Sequence, residues 1–239
     1  MEMIMKLCRK AFCIIFFAVL SSCSLDEKDQ APLLISSADF DFSQGEQGWG
    51  PGFADYPAGP DDSILFDLRY AYTDDVPESL LTKRSHMLSG KNLNKDLFMY
   101  LKRKVDQLKP NTDYTITFTI ELASNLKNPL SIGGSVYLKA GATHIEPKSV
   151  IEAGNYVLNI DKGDGGIAGE DVITLGDIAT PANSTGYAVV TRNNTMANSR
   201  YIAKTNSEGE LWLIVGTDSN LEGSTTVFYT RINVVLSAS

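Results

Sequence analysis

Residues 48–57, G-W-G-P-G-F-A-D-Y-P, bring three aromatic rings and one carboxylate close together: Trp49, Phe53, Tyr56 and Asp55. Flat rings offer apolar surfaces on which the C–H face of a sugar can lie, and a carboxylate accepts hydrogen bonds from sugar hydroxyls. The same segment suits another arrangement, in which two prolines stiffen a loop whose rings plug the end of a β-sandwich. The residue types therefore predict either a binding loop or a packing loop, and for Trp49 packing is favoured.

A second candidate site is the glycine-rich acidic segment at residues 161–171, D-K-G-D-G-G-I-A-G-E-D. Carboxylates set among glycines can fold back so that side-chain and backbone oxygens converge, as the coordination of calcium requires. The spacing is not that of a helix–loop–helix calcium site. We therefore expect either a calcium site or a solvated acidic loop between strands. The candidate metal ligands are Asp161, Asp164, Glu170 and Asp171.

The sequence contains no motif that predicts catalysis. The adjacent aspartates at 61–62 and 74–75 would point to opposite faces of a strand, so neither pair forms a local acid/base couple for glycoside hydrolysis. The two histidines, His86 and His144, are accompanied by no G-x-S-x-G elbow that would present a serine nucleophile. We therefore predict no catalytic residue and favour a protein that is not an enzyme.

The elements that must position these residues are β-strands, because apolar and polar residues alternate with a period of two. The alternation is clear at residues 66–72, 114–120, 136–140, 156–160 and 211–215. Turn signals separate these runs, and eight to ten short strands with little helix predict one all-β domain, an antiparallel β-sandwich of the jelly-roll type. Trp212 is flanked by aliphatic residues and is predicted to lie in the core.

The segment at residues 96–108 is ambiguous, since its apolar residues suit either an amphipathic helix or a strand. We favour a strand, because the segment runs directly into L-K-P-N-T-D-Y-T-I-T-F, where Pro110 presets a turn and Tyr114 opens the next strand with its ring inward. That string resembles the hairpin between two long strands in carbohydrate-binding jelly rolls and fibronectin-like domains.

Residues 42–49, F-S-Q-G-E-Q-G-W, resemble the opening strand of galactose-binding-like jelly rolls, which often begin with F-E-x-G-x-x-G-W. The resemblance implies a carbohydrate-binding-module-like fold. Ser43 stands where those modules usually carry a glutamate that helps to hold a structural calcium ion, so the resemblance does not extend to that metal site. The strings G-F-A-D-Y-P, G-S-V-Y-L-K-A-G-A and E-L-W-L-I-V-G-T-D-S also resemble a group of secreted or lipid-anchored bacterial proteins of unassigned function.

The N-terminal residues predict export and a lipid anchor. Three basic residues precede the apolar run at 11–20, which is too short to span a bilayer as a stable helix. The quartet L-S-S-C at residues 20–23 resembles a bacterial lipobox, whose cysteine, here Cys23, is acylated. An ordinary secretory signal with a nearby cysteine is the alternative. We expect a signal segment at 1–23, a polar tether at 24–36 and the sandwich at 37–239.

The sequence of the tether indicates on which side of the outer membrane the protein is expected. Its lysine within an acidic cluster, in S-L-D-E-K-D-Q, resembles the surface-export signal of lipoproteins in the Bacteroidota. A plain solvated linker would look much the same. We therefore predict a lipoprotein of the outer membrane that faces the cell exterior.

Charge and cysteine content exclude several kinds of site. All three cysteines, Cys8, Cys13 and Cys23, fall in the signal segment, so the mature domain has no disulfide, no cysteine-ligated metal and no thiol nucleophile. Removal of the signal leaves 18 basic and 28 acidic side chains, a net charge near −10. No basic cluster is interleaved with aromatic residues, so no nucleic-acid partner is expected.

Taken together, these features favour a lipid-anchored, non-catalytic β-sandwich that binds a polysaccharide or another glycan at the cell surface. The alternative is a structural or assembly protein of the outer-membrane surface, in which the same rings are buried and the partner is another protein. A glycan-degrading enzyme is less favoured, because it needs two carboxylates across a cleft.

Overall fold

The computed structural model describes residues 35–78, 80, 84–127 and 136–239. The predicted signal segment with Cys23, and all but the last two residues of the predicted tether, lie outside these described residues. Within them, no helix has both the length and the apolar character needed to cross a membrane. The first strand begins at Ile35, two residues before the predicted start of the sandwich.

Nearly all regular structure in the described residues is β-strand. The exceptions are a 3-10 turn at Phe42–Gln44 and one short helix, α1, at Asp62–Leu65. The strands are β1 (Ile35–Asp41), β2 (Gly50–Ala54), β3 (Tyr56–Pro57), β4 (Arg69–Thr73), β5 (Ser85–Asn92), β6 (Leu97–Val105), β7 (Asp113–Ser124), β8 (Val136–Thr143), β9 (Ser149–Glu152), β10 (Asn155–Leu158), β11 (Val172–Asp177), β12 (Ala188–Asn193), β13 (Tyr201–Lys204), β14 (Leu211–Ser219) and β15 (Gly223–Ala238).

The strands form two main antiparallel sheets. The seven-stranded sheet has the order β12-β7-β15-β5-β4, with β1 also paired to β15 and β13 also paired to β7. The five-stranded sheet has the order β11-β8-β14-β6-β2, and β3, β10 and β9 make a small third sheet. The predicted fold class, an all-β antiparallel sandwich, is confirmed. The described strands outnumber the predicted eight to ten for two reasons: β15 and β7 each pair along one edge with two shorter strands, and three further short strands form the small third sheet.

The main core lies between the inward faces of the two sheets. Alternate residues of β7, namely Tyr114, Ile116, Phe118 and Ile120, are fully buried there, as the period-two pattern predicts. The ambiguous segment at 96–108 forms β6, which confirms the strand interpretation and contributes Leu97, Met99 and Leu101 to the same core. The Tyr114 hydroxyl accepts a hydrogen bond from the backbone N–H of Lys109 at 2.9 Å, and this bond fixes the turn after β6.

A second, smaller core lies on the outer face of the five-stranded sheet. Phe98, Tyr100 and Ile214 point outward from β6 and β14 and are covered by residues of the chain between β8 and β11, among them Leu158 and Ile160. The central strands of this sheet are therefore buried on both faces over part of their length. Water is excluded from side chains that the alternation alone would place in solvent.

Trp212 departs from the predicted core position. Its neighbours Leu211 and Leu213 point into the main core, so the alternation of β14 directs Trp212 to the outer face, where it is half-buried. The Lys102 ammonium lies 5.7 Å from the centroid of its indole ring. The prediction was wrong because aliphatic flanks do not identify the inward face of a strand that is buried on both sides.

His86 of β5 is fully buried among the rings of Phe42, Tyr70 and Tyr72. Its Nε2 lies 3.0 Å from the backbone carbonyl of Glu46, and a carbonyl only accepts, so Nε2 carries the proton. Nδ1 of the neutral ring then accepts from the Tyr70 hydroxyl at 3.0 Å. Burial lowers the pKa of His86, because a charged imidazole here would lose its hydration.

The lowered pKa of His86 makes stability depend on pH. Below the ordinary histidine pKa of about 6.5 the unfolded chain takes up a proton that the folded chain does not, so stability falls as the pH falls. We expect His86 to account for part of the unfolding free energy lost between pH 7 and pH 5. Urea unfolding of His86→Gln should show that pH dependence reduced, whereas the exposed His144→Gln should retain it. Equal pH dependence in all three proteins would contradict the assignment.

Candidate functional site

The rings of residues 48–57 turn toward the protein interior. Trp49 is 3% exposed and packs edge-on against Phe40, with ring centroids 5.4 Å apart. Tyr56 is 8% exposed and lies against Tyr156 at 4.9 Å. Phe53 is half-buried against the main core, since its register partner on β6, Met99, points the same way. The ring faces of Trp49 and Tyr56 are thus occupied by protein, in the packing arrangement that the sequence left open.

Asp55 points away from these rings. It occupies the corner between β2 and β3 with a φ of 64°, a left-handed conformation that aspartate tolerates better than most residues. Its carboxylate, 10% exposed, lies 3.0 Å from the Lys162 ammonium. The segment thus sends its rings into the core and its carboxylate toward the outer face of the five-stranded sheet.

Four charged side chains form a buried network on this outer face: Lys139, Lys162, Asp55 and Asp218. The carboxylate oxygen Oδ2 of Asp218 lies 2.9 Å from the Lys162 ammonium and 3.2 Å from that of Lys139. Neither Lys139 nor Asp218 has an exposed side chain. The Lys139 ammonium also donates to the backbone carbonyls of Lys162 and Ile167 at 2.7 and 2.9 Å. Two positive and two negative charges therefore offset one another where water cannot solvate them.

The pKa values follow from this burial. Desolvation lowers the pKa of Lys139 and raises that of Asp55. Burial also acts to lower the pKa of Lys162, but the carboxylates of Asp218 and Asp55 outweigh it, so that the pKa is raised and the ammonium stays charged. Next to the network, burial and the negative charge of Asp55 raise the pKa of Asp96 to about 6.

A cavity of about 240 Å³, which we call the acidic cavity, lies beside the network. Its lining combines carboxylates and one ammonium with three aliphatic residues. The lining comprises Asp55, Asp96, Asp161, Lys162, Gly163 and Asp164 with Val157, Leu158 and Ile160. The structure therefore brings together two segments that the sequence analysis describes as separate candidate sites. Asp55 of the aromatic segment lines the same cavity as Asp161 and Asp164 of the acidic segment.

The four predicted calcium ligands do not all face this cavity. The Asp161 carboxylate accepts the backbone N–H groups of Gly163 and Glu170 at 2.9 and 2.8 Å, which lower its pKa. Asp171 accepts the N–H of Asp161 at 2.9 Å, and Glu170 is exposed. Within the described ranges, no three acidic or histidine side chains come together as a metal-ligand set. Calcium binding by this segment stays a prediction of the sequence.

Glycines allow the acidic segment to close so tightly. Gly163 has a φ of 69°, and a Cβ on Gly169 would lie 2.4 Å from the backbone carbonyl oxygen of Asp161. The loop is therefore stabilised by its own carboxylates and backbone, and it holds Lys162 in position above Asp218. Asp161 and Asp171 thus act on the fold of the loop, while Asp164 is left exposed at the cavity.

Sequence reasoning missed Lys139, Lys162, Asp96 and Asp218. Lys139 occupied a position that strand alternation assigns to solvent, and its burial depends on a covering segment more than 20 residues later in the chain. Asp218 carried a usable signal, because it lies in the same strand as the apolar run L-W-L-I-V. A carboxylate in such a strand needs a buried cation nearby.

Removal of one member of the buried network should be far more costly than loss of an exposed pair. We expect Lys139→Met to lower the free energy of unfolding by about 3 kcal/mol, because it leaves Asp218 with one cation instead of two. The double variant Lys139→Met/Asp218→Leu should cost less than the sum of the single changes. Denaturant titration measures both, with Lys104→Met, which breaks the exposed pair with Glu210, as the control. Strictly additive costs would contradict the network.

No family model and no curated protein matches the chain. Solved structures that it resembles include a carbohydrate-binding module that recognises mannan, at 13% identity and a TM-score of 0.39, covering 84% of this chain and 97% of that one. A xylan-binding domain from Paenibacillus barcinonensis gives 10% identity and a TM-score of 0.37, covering 84% and 95%. The enzymatically active domain of a bacteriophage CBA120 tailspike protein gives 11% identity and a TM-score of 0.33, covering 80% of this chain but only 19% of that one. These likenesses extend no further than the β-sandwich.

Proposed function

We propose that this protein is a non-catalytic glycan-binding protein and that the acidic cavity holds one sugar unit. The observation that carries the proposal is the combination of carboxylates and aliphatic residues in the lining of the cavity. A sugar ring needs both kinds of partner, since its rim bears hydroxyls and its C–H face is apolar. Carboxylates that accept hydroxyl hydrogen bonds, together with aliphatic residues, therefore suit a sugar better than a purely apolar ligand.

The carboxylates differ in how free they are to bind. Asp55 is engaged by Lys162, and Asp161 is engaged by its own loop. The carboxylates of Asp96 and Asp164 accept no hydrogen bond and form no ion pair among the residues that the structure describes, so they are the proposed hydroxyl acceptors. The buried network behind them fixes the floor of the cavity, so little ordering is needed when a ligand binds.

The volume limits the size of the ligand group. A cavity of about 240 Å³ is smaller than a typical drug-sized ligand site. It therefore suits a chain end or a single branch sugar better than the middle of an extended polysaccharide.

Asp96 should make glycan binding depend on pH. With a pKa of about 6, its carboxylate is ionised at pH 7.5 and largely protonated at pH 5, where it loses most of its acceptor strength. We expect binding to glycans found on a glycan array to weaken about tenfold between these pH values for the full-length protein, measured by calorimetry.

Matched variants test whether the glycan binds in the acidic cavity or elsewhere on the protein surface. Asp96→Asn should bind weakly at both pH values, whereas Asp106→Asn, an exposed change just after β6, should behave like the original protein. The proposal fails if no glycan binds, or if Asp96→Asn retains full affinity. Release of reducing sugar during the titration would contradict its non-catalytic part.

We also propose that the protein is anchored in the outer membrane through an acylated Cys23, with the sandwich facing the cell exterior. The support is the L-S-S-C quartet after a short apolar run, followed by a tether with a lysine among acidic residues.

Phase partitioning of the protein between detergent and water tests whether it is lipidated. The full chain, produced in a bacterium that processes lipoproteins, should enter the detergent phase and carry the mass of acyl chains at Cys23. Cys23→Ser should abolish both properties, whereas Cys13→Ser, a change within the apolar run, should retain them. Acylated, detergent-soluble Cys23→Ser protein would exclude this anchor.

A further inference from the structure

A second cavity, of about 250 Å³, lies on the seven-stranded sheet where β7 changes partner. β12 pairs with β7 up to Asn193, opposite Thr119, and β13 takes over at Tyr201, opposite Ile116. The chain between these two strands leaves the sheet and returns, which opens a gap at the edge of β7. We call this gap the arginine cavity, after Arg200 in its lining.

Asn194 holds the gap open in a fixed shape. It is 4% exposed, and its side-chain oxygen accepts the backbone N–H of Phe118 at 2.8 Å. Its side-chain nitrogen donates to the carbonyls of Ile116 and Ser199, both at 3.0 Å. One amide thus replaces the missing strand-to-strand hydrogen bonds and ties the loop to β7. The walls of the cavity are therefore preorganised.

The lining mixes polar and apolar groups and carries a single positive charge. Hydroxyl groups come from Thr115, Thr117 and Ser199, and Asn198 supplies an amide. Arg200 is the one charged residue among the described residues that line the cavity. The chain has an excess of acidic residues, so the absence of any carboxylate here distinguishes this cavity from the acidic cavity.

Arg200 differs from most other arginines of the described chain. Arg69, Arg192 and Arg231 each pair with an aspartate. Arg200 is exposed, and it forms no ion pair or hydrogen bond with the residues that the structure describes. Its planar guanidinium is therefore available for the paired hydrogen bonds that it makes with carboxylate or sulfate oxygens.

We propose that the arginine cavity binds the anionic group of an acidic saccharide, either a uronic acid carboxylate or a sulfate ester. The guanidinium donates hydrogen bonds to the anionic oxygens, and the surrounding hydroxyl and amide groups hydrogen-bond to the ring hydroxyls. A cavity of 250 Å³ is larger than an isolated oxyanion fills, so the anion is attached to a polar body about the size of one sugar. The site shares no residue with the acidic cavity and stands independently of the proposed function.

Titration of the full-length protein with four probes tests the site: glucuronate, glucose 6-sulfate, glucose and sodium sulfate. We expect at least one of the two acidic sugars to bind at least tenfold more tightly than glucose, with amide chemical shifts that change at residues 194–200. Which acidic sugar binds more tightly identifies the source of the anion. Arg200→Gln should remove the preference for the acidic sugar without changing the melting temperature, because Arg200 holds no other side chain.

Control variants distinguish binding at this site from non-specific electrostatic attraction of the acidic sugars to the protein surface. Lys204→Gln removes an exposed cation from the same strand, β13, and should retain the preference. Thr117→Val should weaken the binding of the acidic sugars, because it removes a hydroxyl from the lining. The proposal is overturned if glucose binds as tightly as both acidic sugars, if Arg200→Gln binds unchanged, or if sodium sulfate alone matches the tighter acidic sugar.

Discussion

The buried network of Lys139, Lys162, Asp55 and Asp218 is the constraint on which the outer face of the five-stranded sheet depends. Each charge would be costly in this environment without the others, so the segments that carry them must close together. That closure brings the β2–β3 corner and the acidic segment against β8 and β14. The acidic cavity exists because the network holds these segments at fixed separations, and its position cannot change without exposing a buried charge.

The aromatic segment at residues 48–57 illustrates how one loop serves packing and a site together. Trp49 and Tyr56 fill the interior, which fixes the backbone on both sides of Asp55. The carboxylate is then the one group of the candidate set that reaches the outer face. A choice between a binding loop and a packing loop is too simple, because the buried rings determine where the carboxylate lies.

Local patterns predicted the fold, and long-range contacts determined the site. Alternation along β7 depends on neighbouring residues, so this strand and its inward face follow from the sequence. The network joins residues 55 and 218, whose proximity no local pattern records. Trp212 and Lys139 were misjudged for a related reason, since a covering segment changes which outward positions meet water. The role of Asn194, which ties the chain between β12 and β13 to β7, is equally a consequence of topology.

The order of the strands also governs when the protein can fold. β15 is the last strand in the sequence, yet it lies at the centre of the seven-stranded sheet, between β7 on one edge and β1 and β5 on the other. None of these partners can complete the sheet until residues 223–238 have been synthesised. Such long-range pairing also folds slowly, so this sheet is incomplete for as long as the chain is being synthesised. A polypeptide with that delay can be threaded through a translocation channel before a stable sheet forms.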